Sequence, residues 1–360
     1  MAPVLRPALA GHPALGSHGP GGLLDARRGA PVSVPALLLP ALRVSRRGSR
    51  LISIVIVNWN SGPLLEHCVA SLAHGPRVYE IIVVDNASED FSLDFTSKLE
   101  YPLTLLRNQD NAGFAAGNNR GWRFSRGEQV LFLNPDTEST PGAVDRLERL
   151  LVEDRTVWAA GGKLVSPPGV RRSGVYLRRF PGVASVAAEM LLLDEVWPGN
   201  PWTGRYRMRD LDQDHPQEVD QPAAACLMVQ RAALVALDGF DEGFRPAWFE
   251  DVDLCRRIRS QGGRILFEPA AEFVHHGGSS LKHLAREQFL EYFHSNQLRY
   301  FRKHHGGESA ERVRRLVRCG MYLRALVSLA RPLIQNASRA SSARTFWRTA
   351  RYFERDQRSP

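Results

Sequence analysis

Three apolar segments in the first half of this 360-residue chain restrict how it can fold. They are LISIVIVNW (51–59), EIIVVD (80–85) and QVLFLN (129–134). All three are continuous and the first two are rich in β-branched residues, which is typical of a strand buried on both faces of a parallel sheet. Segments with helical spacing, such as 64–72, separate them. The chain is therefore predicted to be an α/β protein with a mostly parallel, doubly wound central sheet.

The rest of the chain divides into parts with different patterns. Residues 1–50 are rich in Pro, Ala, Gly and Arg without a sustained period, so we predict a disordered extension. The α/β pattern occupies 51–280, and within it residues 166–220 show little periodicity, which favours an insertion or a mobile loop over a binding site. Residues 281–360 are predicted to be helical and basic.

Polar residues follow the apolar strands where ligands bind in open α/β sheets, at the carboxyl ends. They are Asn58 and Asn60 at the end of the first segment, Asp85 and Asn86 at the end of the second, and Asn134 and Asp136 at the end of the third. Any one of them has an ordinary alternative role as a turn former. Their joint occurrence favours a binding cleft at this edge of the sheet.

The two common glycine-rich phosphate-binding motifs, GxGxxG and GxxxxGK[ST], do not follow the first strand. A nucleotide bound without them needs another way to neutralise its diphosphate. A divalent cation held by a carboxylate does this. Asp136 suits that role because Pro135 stiffens the turn that carries it. The sequence therefore predicts a Mg²⁺ or Mn²⁺ ion as cofactor.

The positive charge of the chain is concentrated at its two ends. Residues 1–50 contain seven Arg and one Asp, and residues 308–360 contain twelve Arg and four acids. The formal net charge of +9 therefore leaves an acidic segment between them, which argues against a nucleic-acid partner for the folded core. Two interpretations of the basic ends stay open: solvated tails, or contact with an anionic membrane surface.

Cysteine and apolar content indicate the compartment. The four cysteines, Cys68, Cys226, Cys255 and Cys319, form no CxxC pair, so neither a disulfide framework nor a thiolate zinc site is expected. No apolar run reaches the roughly 18–20 residues of a membrane span. We therefore expect neither a transmembrane helix nor a cleaved signal peptide. The expected location is the cytoplasm, peripheral at the inner face of the cell membrane if the basic ends contact lipid.

Seven short motifs follow one another between residues 51 and 280. They are VIVNWN, VVDNAS, NAGFAAGNN, LFLNPD, GFDEGF, WFEDVDLCRR and FVHHGGSS. In this order they resemble family 2 glycosyltransferases, particularly bacterial rhamnosyltransferases and their galactofuranosyltransferase-like relatives. The resemblance implies a catalytic domain of GT-A fold, an inverting reaction and a nucleotide-diphosphate sugar donor. It favours dTDP-rhamnose as donor and a glycan or polyprenyl-linked glycan as acceptor in cell-surface polysaccharide synthesis.

The resemblance also implies roles for single residues on the donor side. Asp85 matches the acid that reads the pyrimidine base. Asp136 matches the last position of the family's DxD metal motif, and Asn134 replaces the first carboxylate of that motif. His275 matches a residue that approaches the metal or the diphosphate from the other side. His276 is the adjacent alternative for this role.

Asp251 matches the catalytic base in the family's ED pair, and a carboxylate suits that role. An acceptor hydroxyl is a poor nucleophile at neutral pH, and a carboxylate at hydrogen-bond distance removes its proton as the new bond forms. Attack opposite the leaving diphosphate inverts the anomeric carbon. For the neighbouring Glu250 and Asp253, stabilisation of a helix N-terminus is the alternative. Asp253 is expected to be exposed or to act through other residues.

Further candidates have both a binding and a structural interpretation. Asn111, Asn118 and Asn119 could reach the nucleotide or the sugar, or could cap a helix. Trp248 and Phe249 could stack on a sugar, or could pack in the core.

Two other functions compete with sugar transfer. A catalytically silent domain that binds a nucleotide-sugar or a glycan is supported by the missing carboxylate at Asn134. A nucleotidyltransferase is set aside, because the segment NWNSGPLLEHC after the first strand contains no Lys or Arg.

Overall fold

A computed structural model describes residues 51–73, 79–99, 101–168, 177–212, 214–277, 284–330 and 336–354. The extension 1–50, which we predict to be disordered, lies outside the described residues. Within the described ranges, no helix combines the length and the apolar content that crossing a bilayer requires.

The first part of the chain alternates strands and helices, as the apolar pattern predicts. Its elements are β1 (Ile52–Asn58), α1 (Leu64–Ala73), β2 (Glu80–Asp85), a 3-10 helix (Asp94–Lys98), β3 (Leu103–Arg107), α2 (Phe114–Phe124), β4 (Gln129–Leu133), β5 (Thr137–Ser139), α3 (Ala143–Glu153) and β6 (Val157–Val165). Every residue of β1, β2 and β4 is buried. These strands are therefore covered on both faces, which is why their sequences are continuously apolar rather than alternating.

The segment 166–220, expected to lack regular structure, contains several short elements. They are β7 (Leu177–Arg178), α4 (Val183–Met190), α5 (Leu193–Val196), α6 (Pro201–Tyr206) and β8 (Gln217–Glu218). The low periodicity of 177–212 therefore reflects short elements rather than an absence of secondary structure. Helices of four to eight residues are too short to show a clear period in the sequence. Helix α6 begins at Pro201, and the side chain of Asn200 caps its N-terminus.

The last part of the chain completes the sheet and adds a helical layer. Its elements are β9 (Gln221–Pro222), β10 (Cys226–Gln230), α7 (Arg231–Leu237), α8 (Glu250–Ser260), β11 (Arg264–His275), α9 (Arg286–Ala330) and α10 (Asn336–Tyr352). Helix α9 is interrupted at Gly306, whose φ of 81° is not helical. The predicted C-terminal helices are therefore confirmed in Arg286–Ala330 and Asn336–Tyr352.

The central sheet has the strand order β3-β2-β1-β4-β10-β6-β11-β5, with β8 paired to β11. Strands β3, β2, β1 and β4 are parallel, β10 is antiparallel to both neighbours, and β6 is parallel to β11. Because β2 and β4 flank β1, their carboxyl ends meet where the strand order reverses. The mostly parallel α/β sheet is therefore confirmed, and this edge is where a ligand is expected.

Helices cover the sheet on both faces. Helices α1 and α3 contribute Leu65 and Leu147 to one apolar layer, and α2, α7 and α8 contribute Trp122, Leu234 and Ile258 to the other. A third cluster joins α4, α9 and α10 to the start of α8. The helical layer thus packs directly against the helix that carries Asp251.

Helix α2 approaches β1 very closely. A side chain added at Gly121 would place its Cβ 2.3 Å from Val55 Cγ1. Close packing of helix on strand therefore requires glycine at this position.

Candidate active site

The ends of β1 and β2 form one side of the candidate site. Asn58 and Asp85 are register partners, so both reach the carboxyl edge together. Asn58 Nδ2 lies 2.9 Å from Asp85 Oδ1 and within 3.0 Å of the hydroxyls of Ser88 and Ser92. Asn58 Oδ1 is buried and has no hydrogen-bond partner among the described residues. An acceptor therefore remains at this edge for the donor group of a ligand.

The turn that begins α2 is held by asparagine side chains. Asn86 Nδ2 donates to the carbonyl of Gly113 at 3.1 Å, and Asn86 Oδ1 accepts from Asn108 Nδ2 at 2.6 Å. Asn111 Oδ1 accepts from the N–H of Gly113 at 3.0 Å. A side chain at Gly113 would lie 2.8 Å from the carbonyl of Pro246. Asn86 and Asn111 therefore position a glycine turn that contacts the loop leading into α8.

The end of β11 brings both histidines next to the NPD segment. His275 pairs with Thr137 of β5, and the N–H of His276 donates to the carbonyl of Asp136 at 2.9 Å. His275 Nε2 lies 3.3 Å from Asp136 Oδ1, whereas His276 Nε2 lies 2.7 Å from Glu138 Oε1. The structure thus places His275, the residue preferred from the sequence, beside the acid of the metal motif.

Asn134 occupies the first position of the metal motif. Its N–H donates to the carbonyl of Ala225 at 3.1 Å, and its carbonyl accepts from Cys68 Sγ at 3.5 Å. Its Oδ1 is buried without a hydrogen-bond partner among the described residues. Burial, and secondarily the charge of Asp136, raises the pKa of the Cys68 thiol, so this neighbour stays protonated.

These residues fit a divalent cation that takes part of its coordination from a nucleotide. Asp136 supplies a carboxylate, His275 an imidazole and Asn134 an amide oxygen, a donor set that suits Mn²⁺. No group of three or more His, Cys, Asp or Glu within the described ranges could hold a metal by itself. Diphosphate oxygens would have to complete the coordination, as in sites where Mg²⁺ binds through a carboxylate and substrate phosphates.

Asp251 lies in the first turn of α8, and nitrogen donors surround its carboxylate. Its Oδ2 accepts from Gln221 Nε2 at 3.0 Å and from the N–H of Ala224 at 3.4 Å. Its Oδ1 accepts from the N–H of Val252 at 2.8 Å. Burial raises the pKa of Asp251, while these donors and the charge of Arg178 act against the rise. A raised pKa makes the carboxylate a stronger base than an exposed aspartate.

Glu250 is buried rather than a solvated acid of the first helical turn. Its side chain is 4% exposed, and its Oε2 has no hydrogen-bond partner among the described residues. Burial and the charge of Asp251 raise its pKa well above the usual value. Glu250 therefore holds its proton more readily than an ordinary glutamate does, in part because of the negative charge of Asp251.

Asp253 is fully buried, so the expectation of an exposed side chain was wrong. Its carboxylate lies 2.7 Å from Arg257 Nε, Lys303 Nζ and His304 Nε2. Two of these partners belong to α9, about fifty positions later in the chain. Asp253 therefore fixes α8 against the helical layer and acts through other residues.

Two adjacent residues before β10 connect the metal motif to Asp251. The carbonyl of Ala225 accepts from the N–H of Asn134 at 3.1 Å, and the N–H of Ala224 donates to Asp251 Oδ2 at 3.4 Å. The turn at Gly113 meets Pro246 in the same region, where the N–H of Phe114 donates to the carbonyl of Pro246 at 2.8 Å. Short backbone contacts therefore link the candidate nucleotide site, the metal motif and Asp251.

Comparison with known proteins identifies the family of this chain. Residues 53–215 match the family model Glycosyl transferase family 2. The N-acetylglucosaminyl-diphospho-decaprenol L-rhamnosyltransferase of Mycobacterium tuberculosis is 29% identical over 244 residues, which are 64% of this chain and 77% of the relative. This chain therefore carries a family 2 glycosyltransferase domain. The resemblance seen in its motifs is therefore confirmed, and the enzyme belongs to glycan biosynthesis.

Solved structures show that this glycosyltransferase has the GT-A fold. A mannosyltransferase from Pyrobaculum calidifontis, in complex with GDP-Man and Mn²⁺, aligns over 86% of each chain with a TM-score of 0.50 and 16% identity. GalNAc-T7 with UDP, GalNAc and Mn²⁺ aligns over 63% of this chain and 43% of its own, with a TM-score of 0.50 and 19% identity. At these identities the likeness concerns the fold alone.

Several residues near Asp251 of the glycosyltransferase were missed in the sequence. Gln221 and Arg178 face each other across the strand pair β7 and β9, and Tyr206 lies at the end of α6. They fall within or next to the segment where no periodicity could be recognised. A polar residue in such a segment has no sequence signal that separates it from an ordinary loop residue.

Other candidates in the glycosyltransferase are used for packing or capping. Trp248 packs edge-on against Phe289, with ring centroids 4.9 Å apart, and Phe249 is 5% exposed. Asn119 Nδ2 donates to the carbonyl of Phe240 at 2.8 Å, and Asn118 Nδ2 donates within its own helix. These contacts favour the structural interpretation of all four residues.

Proposed function

We propose that this glycosyltransferase is an inverting enzyme that transfers rhamnose from dTDP-rhamnose to a hydroxyl of a glycan or polyprenyl-linked glycan acceptor. The proposed setting is cell-surface polysaccharide synthesis. The relative from Mycobacterium tuberculosis supports this choice, because its name specifies both a rhamnosyl group and a decaprenol-linked acceptor. It covers enough of this chain for the proposal to concern the whole catalytic domain.

We assign the nucleotide to the ends of β1 and β2. Asp85 offers its carboxylate to the N–H of the pyrimidine base, and Asn58 offers the buried oxygen that has no partner among the described residues. Asn86 and Asn111 support this wall through the turn at Gly113. Their role is to hold the wall in place, since both side chains contact the backbone of that turn.

We assign the diphosphate to the other side of the cleft, beside Asp136 and His275. Asn134 contributes its amide oxygen, which has no hydrogen-bond partner among the described residues, at the first position of the metal motif. A Mg²⁺ or Mn²⁺ ion bound there would offset the negative charge that accumulates on the leaving diphosphate. His275 would coordinate the ion or donate a hydrogen bond to the same group.

We assign the proton transfer to Asp251. The acceptor hydroxyl donates a hydrogen bond to Oδ1, which has one backbone partner. As the oxygen attacks the anomeric carbon from the side opposite the diphosphate, Oδ1 takes its proton and the carbon is inverted. Gln221 and Ala224 keep the other carboxylate oxygen fixed during this step.

One observation carries the proposal: neighbouring residues Ala224 and Ala225 contact the base and the metal motif respectively. Consecutive Cα atoms are about 3.8 Å apart, so this short stretch of backbone ties Asp251 to the metal motif. That arrangement is what displacement at a single sugar carbon requires.

The experiment is a panel of nucleotide-diphosphate sugars tested for transfer and for release of nucleoside diphosphate, with Mn²⁺ titrated. We expect release with dTDP-rhamnose and a strong dependence on metal. Glu308→Gln is the control, because that acid is 88% exposed on α9. Binding of nucleotide-sugars without any metal-dependent release would instead indicate a catalytically silent domain.

We further propose that the enzyme works at an anionic membrane surface. An exposed apolar patch on α5, α6 and the end of α9 supports this. Its residues are Val196, Trp197, Trp202, Leu326 and Leu329, each at least 51% exposed. Arg324 of α9 donates to the carbonyl of Met190 at 2.8 Å, which connects the end of α4 to α9. Exposed tryptophans beside a basic C-terminal segment suit the interface of an anionic bilayer.

The test is sedimentation with phosphatidylcholine vesicles, with and without phosphatidylglycerol. We expect binding only when the anionic lipid is present, and loss of binding in Trp197→Ser/Trp202→Ser. Phe124→Ser, which removes an aromatic ring 55% exposed on α2, is the control. Absence of binding to both vesicle types would contradict the membrane proposal without affecting the catalytic one.

A further inference from the structure

The two-stranded sheet of β7 and β9 delivers two side chains to the first turn of α8. Arg178 and Gln221 are register partners in this antiparallel pair. Gln221 Nε2 donates to Asp251 Oδ2 at 3.0 Å. Arg178 lies close enough for its charge to lower the pKa of Asp251. The segment expected to be a loop over the site thus supplies a cation to the base.

Arg178 is itself held in place by neighbouring groups. Its Cζ lies 6.0 Å from the ring centroid of Tyr206, which is within reach of a cation–π interaction. The N–H of Arg179 donates to the carbonyl of Tyr206 at 2.8 Å, which ties the end of α6 to β7. The Glu189 carboxylate also feels the charge of Arg178. Arg178 therefore has a defined position rather than a solvated one.

The other titratable groups around Asp251 do not favour its charged form. On α8 they are Glu250 and Cys255, whose pKa values are raised mainly by burial and further by the negative charge of Asp251. From α6, Tyr206 has a pKa raised by burial, so its hydroxyl stays protonated. Within the part of the chain that the structure describes, Arg178 acts on Asp251 with positive charge.

We propose that Arg178 is a positioning residue that keeps the carboxyl of Asp251 ionised, and that Tyr206 holds the guanidinium in place for this role. A base must be deprotonated to accept the acceptor's proton, and burial favours the protonated form. A nearby guanidinium, which is always charged, restores the ionised form. The inference rests on the proposed role of Asp251 in sugar transfer.

The test compares the pH dependence of kcat/KM in the wild type, Arg178→Gln and Arg178→Lys. Removal of the Arg178 charge should move the acid limb of the kcat/KM profile to higher pH by about one unit. At pH values below the limb, kcat/KM should therefore fall about tenfold. Arg178→Lys should restore most of the wild-type limb, and Tyr206→Phe should shift it less. Arg179→Gln is the matched control, because this neighbour is paired with Asp210 at 3.2 Å.

A second measurement decides the inference without turnover. In protein labelled with ¹³C at aspartate carboxyls, the Asp251 resonance is assigned by its absence in Asp251→Asn and followed by NMR titration. Its midpoint should rise in Arg178→Gln and stay unchanged in Arg179→Gln. An unchanged midpoint in Arg178→Gln would overturn the inference. If the wild type transfers no sugar, the proposed function fails while the titration still decides whether Arg178 ionises Asp251.

If circular dichroism shows that Arg178→Gln does not fold, the variants Arg178→Lys and Tyr206→Phe test the role of Arg178 instead. Two results together would contradict the positioning role. The first is that Tyr206→Phe leaves both the acid limb of kcat/KM and the titration midpoint of Asp251 unchanged. The second is that Arg178→Lys loses all activity at every pH.

Discussion

Replacement of Asp251 by Asn removes the proposed base with little change in shape. The Asn carbonyl can take the place of Oδ2 and accept from Gln221 and Ala224. Its amide would then face the N–H of Val252, which loses a hydrogen bond worth about 1 kcal/mol. Burial raises the pKa of Asp251, so loss of the buried charge offsets part of that cost. We therefore expect the free energy of unfolding to change by only about 1 kcal/mol.

The catalytic effect of Asp251→Asn should be much larger. General base catalysis contributes about 10²–10⁴ in rate, or about 3–5 kcal/mol of transition-state stabilisation. We expect kcat to fall by about that factor, while dTDP with Mn²⁺ still raises the melting temperature as in the wild type. In the wild type, the rate should fall as the pH falls through the raised pKa of Asp251, and this acid limb should vanish in the variant.

The assay measures initial rates of transfer over a pH series, with thermal shift as the binding control. Activity within about tenfold of the wild type, with the acid limb retained, would refute the assignment of Asp251 as base. Equal losses of kcat and of dTDP binding would refute it as well, because the structure separates the base from the nucleotide wall.

Three further predictions follow from the described contacts. Asp136→Asn should abolish the Mn²⁺-dependent part of the thermal shift given by dTDP and leave the metal-free part unchanged. Gly121→Ala should lower the free energy of unfolding by about 1–3 kcal/mol, because its Cβ would lie 2.3 Å from Val55. Gly204→Ala is the control and should not destabilise the protein, because Gly204 has open space around it. Chemical denaturation measures both. Burial lowers the pKa of His294 to about 4. As the pH falls, the unfolded chain therefore binds the His294 proton before the folded protein does. The free energy of unfolding should fall by about 3 kcal/mol between about pH 6.5 and about pH 4. This loss should be smaller in His294→Gln.

The sheet and the donor side of the site could be predicted because their signals are local. A continuous β-branched run predicts a strand buried on both faces, and parallel strands bring Asp85 and Asp136 to one edge without further information. The preference for His275 over His276 rested on the family motif. The register of β11 against β5 agrees with that preference, because it sets His275 beside Asp136 and His276 beside Glu138.

The surroundings of the base could not be predicted because they depend on contacts between distant parts of the chain. Asp253 is buried by Lys303 and His304, about fifty positions away, so its helix pattern alone did not reveal its partners. Arg178 reaches Asp251 through a strand of two residues, which has no recognisable period. Tertiary contacts, rather than local preference, determine both positions.

The most direct test of the central claim is a crystal structure with dTDP and Mn²⁺, with the metal located by its anomalous scattering. The claim predicts a Mn²⁺ peak held by Asp136, His275 and Asn134 together with the diphosphate, with the thymine at Asp85. It also predicts an open space about one sugar wide between the β-phosphate and Asp251. A metal peak elsewhere, or protein filling the space between the β-phosphate and Asp251, would contradict the account.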